Sequence, residues 1–256
     1  MTLRPRPRSL RLAAGFAAIL ALSGCSRAAE IEQPPAPAGI DLEAVDITDE
    51  AANGLWFVDG ATALQRVIDA VRAAGGARMS GWIVESVPVE DAAPVPGRRI
   101  DLAVTGTPSA YSAQLAVQGQ EIELVVVDGA AFLRGNAAYA QRIGDERFAS
   151  GFVCLTADDA LVAEWSALTD PAELLDGALG SAELGIHAPA EGAPTTELVI
   201  GAGGAPVGAL TVSAVYAPLP SRLVIGDVSG NASIDFAEWG ETDAVIAPED
   251  VVVGCG

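Results

Sequence analysis

Residues 100–134, IDLAVTGTPSAYSAQLAVQGQEIELVVVDGAAFLR, decide the fold. Within them Ile100, Leu102 and Val104 alternate with Asp101 and Ala103, and Tyr111, Ala113, Leu115 and Val117 alternate with Ser112, Gln114 and Ala116. A period of two puts successive side chains on opposite faces of an extended chain, so both runs read as strands with unlike faces. Ile122, Leu124 and Val126 continue the pattern, and the pair Asp128-Gly129 then separates them from Ala130–Leu133. Asp-Gly accepts the positive φ of a two-residue hairpin turn, which makes the flanking strands antiparallel neighbours.

Outward from this stretch, strands are expected at Met79–Val87, Thr195–Ile200, Ala209–Tyr216, Ser221–Asp227, Ala232–Phe236 and Ala244–Ile246. Helices interrupt them. Leu64, Val67, Ile68 and Val71 share one helical face between Asp59, a candidate N-cap, and Gly75-Gly76, a stop. A second helix is expected after Thr156-Ala157-Asp158-Asp159, carrying Leu161, Val162, Trp165 and Leu168. A third follows Asp170, with Pro171 at the first helical position and Leu174, Leu175 and Leu179 on one face. Strands at short spacing, with helices interrupting rather than alternating, give an α+β antiparallel sheet and not a doubly wound nucleotide fold.

The 256 residues suffice for a sizeable core, half of them are apolar, and only 5% are aromatic, so the interior is built of small aliphatics. Against 34 acidic residues stand 14 basic ones, all Arg, and the net charge of -20 excludes a nucleic-acid partner.

The N-terminus reads as a delivery segment. Arg4, Arg6, Arg8 and Arg11 precede the apolar run Leu12–Leu22, which is about half the ~20 residues that a membrane-spanning helix needs. Leu22-Ser23-Gly24-Cys25 resembles the bacterial lipobox, in which the cysteine thiol receives a diacylglycerol and the signal is cut before it. Residues 1–24 are then a lipoprotein signal peptide, and cleavage, which removes four Arg and no acid, moves the net charge to -24. Residues 25–58 are the acylated N-terminus and a tether, Pro-rich at Pro34, Pro35 and Pro37 and acidic from Asp41 to Glu50. Residues 59–256 are the folded domain. The protein is expected to be exported and lipid-anchored, through Cys25, to the outer face of the cytoplasmic membrane.

Catalytic signatures are absent from the sequence. There is no Gly-x-Ser-x-Gly elbow, a phosphate-binding Gly-x-x-x-x-Gly-Lys loop is impossible without Lys, and the one histidine, His187, reads as a loop residue. One His and two cysteines beyond Cys25 do not make a zinc site, so no metal or cofactor is expected. The carboxylate pairs Asp158-Asp159 and Glu249-Asp250 read as solvated. Cys154 and Cys255 are an even pair in an exported chain, for which a disulfide is expected, two unpaired buried thiols being the alternative. Asn231-Ala232-Ser233 matches a glycosylation sequon that a bacterial lipobox makes moot.

Behind that lipobox, the order of several segments resembles the actinobacterial LppX/LprG lipoprotein family, whose architecture is similar to the LolA-like lipid carriers. They are the strand-turn-strand Glu121–Arg134, the helix opening Asp170-Pro171-Ala172-Glu173-Leu174-Leu175-Asp176, and the closing pattern Tyr216-Ala217-Pro218-Leu219, Leu223-Val224-Ile225 and Ile234–Gly240. The resemblance spans roughly Ala61–Pro248 and implies a strongly curved antiparallel half-barrel with helices packed on its concave side. It also implies an apolar cavity for the acyl chains of a lipid or glycolipid in transit across the envelope. The cavity candidates are Ile100, Leu102, Val104, Leu115, Val117, Ile122, Leu124, Val126 and Phe132. Periodicity alone does not say which strand face is concave, and the same alternation also describes a packed core. Trp82, Trp165 and Trp239 read as core fillers. Two functions remain open at this point: a non-enzymatic lipid-binding lipoprotein, and an envelope adaptor with a filled core that acts on a protein partner through its acidic surface.

Overall fold

Asp59 starts the first helix by accepting a hydrogen bond from the Thr62 N–H at 3.0 Å, and Gly75, at φ 80°, ends it in the left-handed region. This helix, α1 (Gly60–Ala74), buries Ala63, Leu64, Val67, Ile68 and Val71 as one stripe, as its periodicity requires. The structure, a computed structural model, describes residues 52–90, 92–201, 205–226 and 231–255. The signal peptide, Cys25 and nearly all of the tether lie outside the described residues.

Twelve strands follow: β1 (Ala77–Val89), β2 (Ala92–Thr107), β3 (Ala110–Val117), β4 (Gln120–Val127), β5 (Ala130–Gly135), β6 (Phe152–Thr156), β7 (Leu184–Ile186), β8 (Thr195–Ile200), β9 (Gly208–Ser213), β10 (Pro220–Gly226), β11 (Asn231–Ala237) and β12 (Val251–Val253). They form one sheet in the order β12-β6-β5-β4-β3-β2-β1-β11-β10-β9-β8-β7, open at both ends. The two hairpins flanking β4 turn on Gln118-Gly119 (φ 51° and 80°) and Asp128-Gly129 (φ 52° and 77°), the left-handed pairs that two-residue loops between twisted strands demand. Every strand pair is antiparallel except one. The last strand, β12, pairs parallel with β6, which adds one short parallel edge to the expected antiparallel sheet. A parallel partner far along the chain leaves no hairpin signal to read.

Register puts Leu133, Leu124, Leu115, Leu102, Gly81, Ile234, Leu223, Leu210 and Leu198 on one face of the sheet. At Gly81 φ is 149°, and a Cβ there would collide with the Ser233 carbonyl, so only glycine fits where β1 approaches β11. On this face pack α1, α2 (Ala137–Ile143), α3 (Arg147–Ser150), α4 (Ala160–Ala163), α5 (Ser166–Thr169) and α6 (Pro171–Leu179), and one continuous apolar cluster joins helices to sheet. The fold is a half-barrel of α+β class, with the helices inside the curve.

The second expected helix is two single turns, α4 and α5, joined at Glu164-Trp165; α2 and α3 follow the Asn136 cap, which carries no long periodic stretch after it. Ala244–Ile246, expected as a strand, has no strand partner. The β1–β2 hairpin overhangs the sheet, because β1 pairs with β11 only as far as Ile83 but with β2 as far as Val89. Cys154 and Cys255 form a disulfide, with Cα atoms 5.1 Å apart, that fixes the chain end beside β12 to β6. Together with Val245 and Val251, the tail covers a small second cluster of Val125, Phe132 and Phe152 on the outer face.

Candidate functional site

Small side chains at the end of α6 open a gap in the helical layer. Gly177, Ala178, Ser181 and Ala182 face Ile83, Ile200, Ile225 and Ala232 of the sheet across a half-open cleft of about 510 Å³. Leu168 of α5, Leu174 of α6 and Val207 also line it. These residues, chiefly aliphatic, come from β1, β8, β10, β11 and two helices. Polar groups sit at the rim: Glu85, Ser86, Glu173, Ser181 and Asn231. A volume of this size falls within the range of small-molecule sites, and an apolar wall with a few polar groups at its mouth suits an amphiphile.

The wall is held by ordinary local chemistry. Asp170 caps α6 by accepting from the N–H groups of Ala172 and Glu173 at 2.8 and 3.4 Å, and Pro171 occupies the first turn, as the sequence leads one to expect. Thr169, buried, closes its hydroxyl onto the Ser166 carbonyl at 3.1 Å. At the rim Arg98 donates to Glu85 at 2.6 and 2.8 Å. Those hydrogen bonds hold the Glu85 carboxyl below its ordinary range despite partial burial, and they raise Arg98 in turn. Glu173 lies 3.9 Å from Arg72 of α1.

A second cleft of about 300 Å³ lies on the other side of α5, between Tyr111, Val126, Val162 and Ser166. Burial pushes the Tyr111 hydroxyl pKa up. Both clefts touch Ala167 and Glu173, so the short α5 and the start of α6 form a strap with space on either side. The opposite face of the sheet carries an open groove of about 650 Å³ among Asp101, Gln114, Glu121, Glu123, Arg134 and Asn136. There Arg134 binds Glu123 at 2.6 Å and Asp250 at 2.8 Å and covers the Phe152 ring at 4.5 Å, tying the tail to β4 and β5.

Eight of the nine cavity candidates, Ile100, Leu102, Val104, Leu115, Val117, Ile122, Leu124 and Val126, are 0–6% exposed and belong to the packed cluster under the helices. They lie on the concave face, and none of them lines the cleft beside α6; Val126 borders the smaller cleft, and Leu102, Leu115 and Ile122 are among the residues lining the groove of about 650 Å³. Phe132 is on the other face, paired with Val125 and Cys154, and its inclusion is corrected by the register. Missed by sequence reasoning were Ala178, Ala182, Leu168, Ile225 and Ile83, whose signal is the run of small residues at the end of α6. Trp165 is buried, whereas Trp82 lies under Arg99 at 4.4 Å and Trp239 stacks on Phe236 and donates to the Pro220 carbonyl at 2.8 Å. His187 is exposed, its carbonyl accepting from Thr196 at 2.6 Å. Among the described residues no cluster of three or more His, Cys, Asp or Glu is placed to hold a metal ion, and no helix is long and apolar enough to cross a membrane.

No family profile matches the chain, and no curated protein does. Among solved structures it is similar to the crystal structure of LprF from Mycobacterium bovis, with 16% identity and a TM-score of 0.40, covering 74% of this chain and 96% of that one.

Proposed function

We propose that this protein is an exported lipoprotein, anchored at Cys25 to the outer face of the cytoplasmic membrane, that binds an acyl chain of a lipid or glycolipid in the cleft beside α6 and carries it within the cell envelope. The observation that supports the reading is the half-open aliphatic cleft itself. Taking a methylene to fill about the space of one water, about 30 Å³, the 510 Å³ would accommodate roughly 17 methylenes, one long acyl chain. At about 0.8 kcal/mol per buried methylene the gross gain is on the order of 10 kcal/mol, of which association and ordering consume a large part. The protein acts by binding rather than by chemistry, with lipid and membrane as its partners and no cofactor.

The experiment is organic extraction of the purified domain beginning after Cys25. One equivalent of lipid per protein supports the carrier; a protein that yields none, and takes none up from vesicles, contradicts it.

A second reading is favoured by two observations, the tightly packed cluster under most of the sheet and the open groove of about 650 Å³ on the outer face, whose lining includes the acidic residues Asp101, Glu121 and Glu123. Under it the protein is an envelope adaptor that meets a protein partner through its acidic surface. Extraction separates the two, because an adaptor releases no lipid.

A further inference from the structure

Two segments distant in sequence meet where the chain enters the domain. Ala52 bridges Val215, the Asn53 N–H donates to the Ala214 carbonyl at 3.0 Å, and the Asn53 side-chain amide donates to the Ser213 carbonyl at 2.8 Å. This bridge joins Asn53–Val58 to Ala214–Leu219, the connection between β9 and β10, and neither stretch holds a charged residue in a chain of which 19% are charged. Both stretches carry aromatic rings outward. Phe57 is 79% and Tyr216 77% exposed, and the half-buried Trp56 lies beside Phe57 with ring centroids 5.5 Å apart. A single turn, in which the Phe57 N–H donates to the Gly54 carbonyl at 3.1 Å, folds the Phe57 ring back over Gly54, next to the bridge. Tyr216 follows Val215 directly, at φ 53°, a conformation uncommon for a bulky residue. Scattered exposed apolar residues need no explanation, but three aromatic side chains on two charge-free stretches tied together do.

The chain leading to Ala52 indicates what covers them. Cys25 lies 27 residues before Ala52, a span that reaches at most about 90 Å when fully extended. A domain tethered within that distance of a bilayer meets it as an intramolecular partner, so a surface contact of low intrinsic affinity is enough to hold it there. Aromatic rings concentrate at the boundary between headgroups and acyl chains, and they need no positive charge to do so, which suits a strongly acidic protein. The rival surface is weaker: Val87, Val89 and Val95 on the overhanging β1–β2 hairpin are 41% to 46% exposed, aliphatic, and followed at Val89 by the exposed Glu90.

The aromatic end and the cleft lie at opposite ends of the same strands. Val207, which lines the cleft, precedes the start of β9, whereas the bridge follows its end; Ile225 lines the cleft near the end of β10, whereas the aromatic connection precedes its start. Six residues of strand separate them by about 20 Å. The β1–β2 hairpin, whose Glu85 and Ser86 line the cleft, belongs to the cleft end.

We propose that Trp56, Phe57 and Tyr216 dock this end of the domain on the headgroup–acyl boundary of the membrane that carries the Cys25 anchor, and that docking turns the cleft away from that bilayer. The inference rests on the reading of Cys25 as the anchor. On the lipid-binding reading of the cleft, lipid then enters the docked protein from the envelope side.

The test uses the full processed chain, isolated from membranes, its acyl groups confirmed by mass, and reconstituted in phosphatidylcholine vesicles. With Cys25 acylated and Cys154 joined to Cys255, a cysteine introduced by Ala217→Cys or by Val89→Cys takes a thiol-reactive, bilayer-sensitive fluorophore. Phosphatidylcholine brominated along its chains should quench the probe at position 217 and not the probe at position 89. Phe57→Ser together with Tyr216→Asn, both at exposed positions, should lower the ratio of docked to free domain by at least about tenfold, and Tyr216→Trp, which keeps a ring, should retain the quenching. Equal quenching at both positions, quenching confined to position 89, quenching at neither, or quenching at position 217 that survives the double substitution overturns the docking while leaving the anchor in place. A chain that carries no acyl group overturns the anchor and the docking with it.

Discussion

Filling the cleft from within should weaken lipid binding about a hundredfold without unfolding the protein. Ala178, half-buried on α6, points its small side chain at the gap lined by Ile200, Ile225 and Ala232. Ala178→Trp adds nine heavy atoms to a half-open space of about 510 Å³. If about four methylenes of the ligand lose their place, the loss is about 3 kcal/mol, or roughly a hundredfold in Kd. Ser181→Trp, at the exposed rim of the same cleft, should give a smaller loss, because the indole can swing toward solvent. The assay is displacement of a fluorescent fatty acid from the delipidated domain, with thermal unfolding followed in parallel to show that the fold persists. An unchanged affinity in a folded Ala178→Trp protein would refute the assignment of the cleft as the acyl site.

Other consequences can be measured independently. The Cys154–Cys255 disulfide closes a loop across 101 residues, for which chain entropy gives about 4.7 kcal/mol; denaturant unfolding with and without reductant should show a loss of several kcal/mol, and equal midpoints would contradict it. Leu124→Ala empties a fully buried site between β3 and β5 and should cost about 2–5 kcal/mol by the same method. Asp170→Ala removes the cap that holds the cleft wall, so it should lower stability by about 1 kcal/mol and weaken fatty-acid binding together. Glu85 has a folded pKa below its ordinary 4.5, so its pairing with Arg98 contributes stability that is present above that value and is lost as pH falls through the depressed one; the difference in denaturant midpoint between the protein and Glu85→Gln should be constant between pH 5 and 8 and shrink in that acid window. Cys25→Ser should accumulate an unprocessed precursor that takes up no labelled fatty acid.

Much of the architecture was legible because local chemistry and global fold agree. The alternation of Ile100–Val117 gave two strands and their faces, Asp128-Gly129 gave a hairpin, and Asp59 and Gly75 bounded α1. Thr195–Ile200 was read to its end residues. Less legible were elements that are short or depend on distant partners: β12 lies parallel to β6, and α4 and α5 are single turns whose shared apolar residues mimic one longer helix. Strand β5 gave no guide to the face of Phe132, which is apolar on the outer face, where Val125, Phe152 and the tail cover it. Apolar on both faces, that strand has no alternation to distinguish inside from outside.

The cleft was the least legible feature. Strand periodicity reports which side chains turn inward, but not where the opposing helix stops filling the space. Leu124 looks the same in sequence as Ile225, yet the first is fully buried in the packed cluster and the second, only partly buried, lines the cleft with Ala178 and Ala182. Only the small residues of α6, read together with the strands they oppose, separate packed interior from binding site.

The most direct measurement is a crystal of the domain grown with a fatty acid brominated along its chain, located by the anomalous signal of bromine. The account predicts bromine peaks between Leu168, Ala178 and Ile225. Peaks confined to the outer groove beside Arg134, or none in protein that still diffracts with an empty cleft, would contradict it.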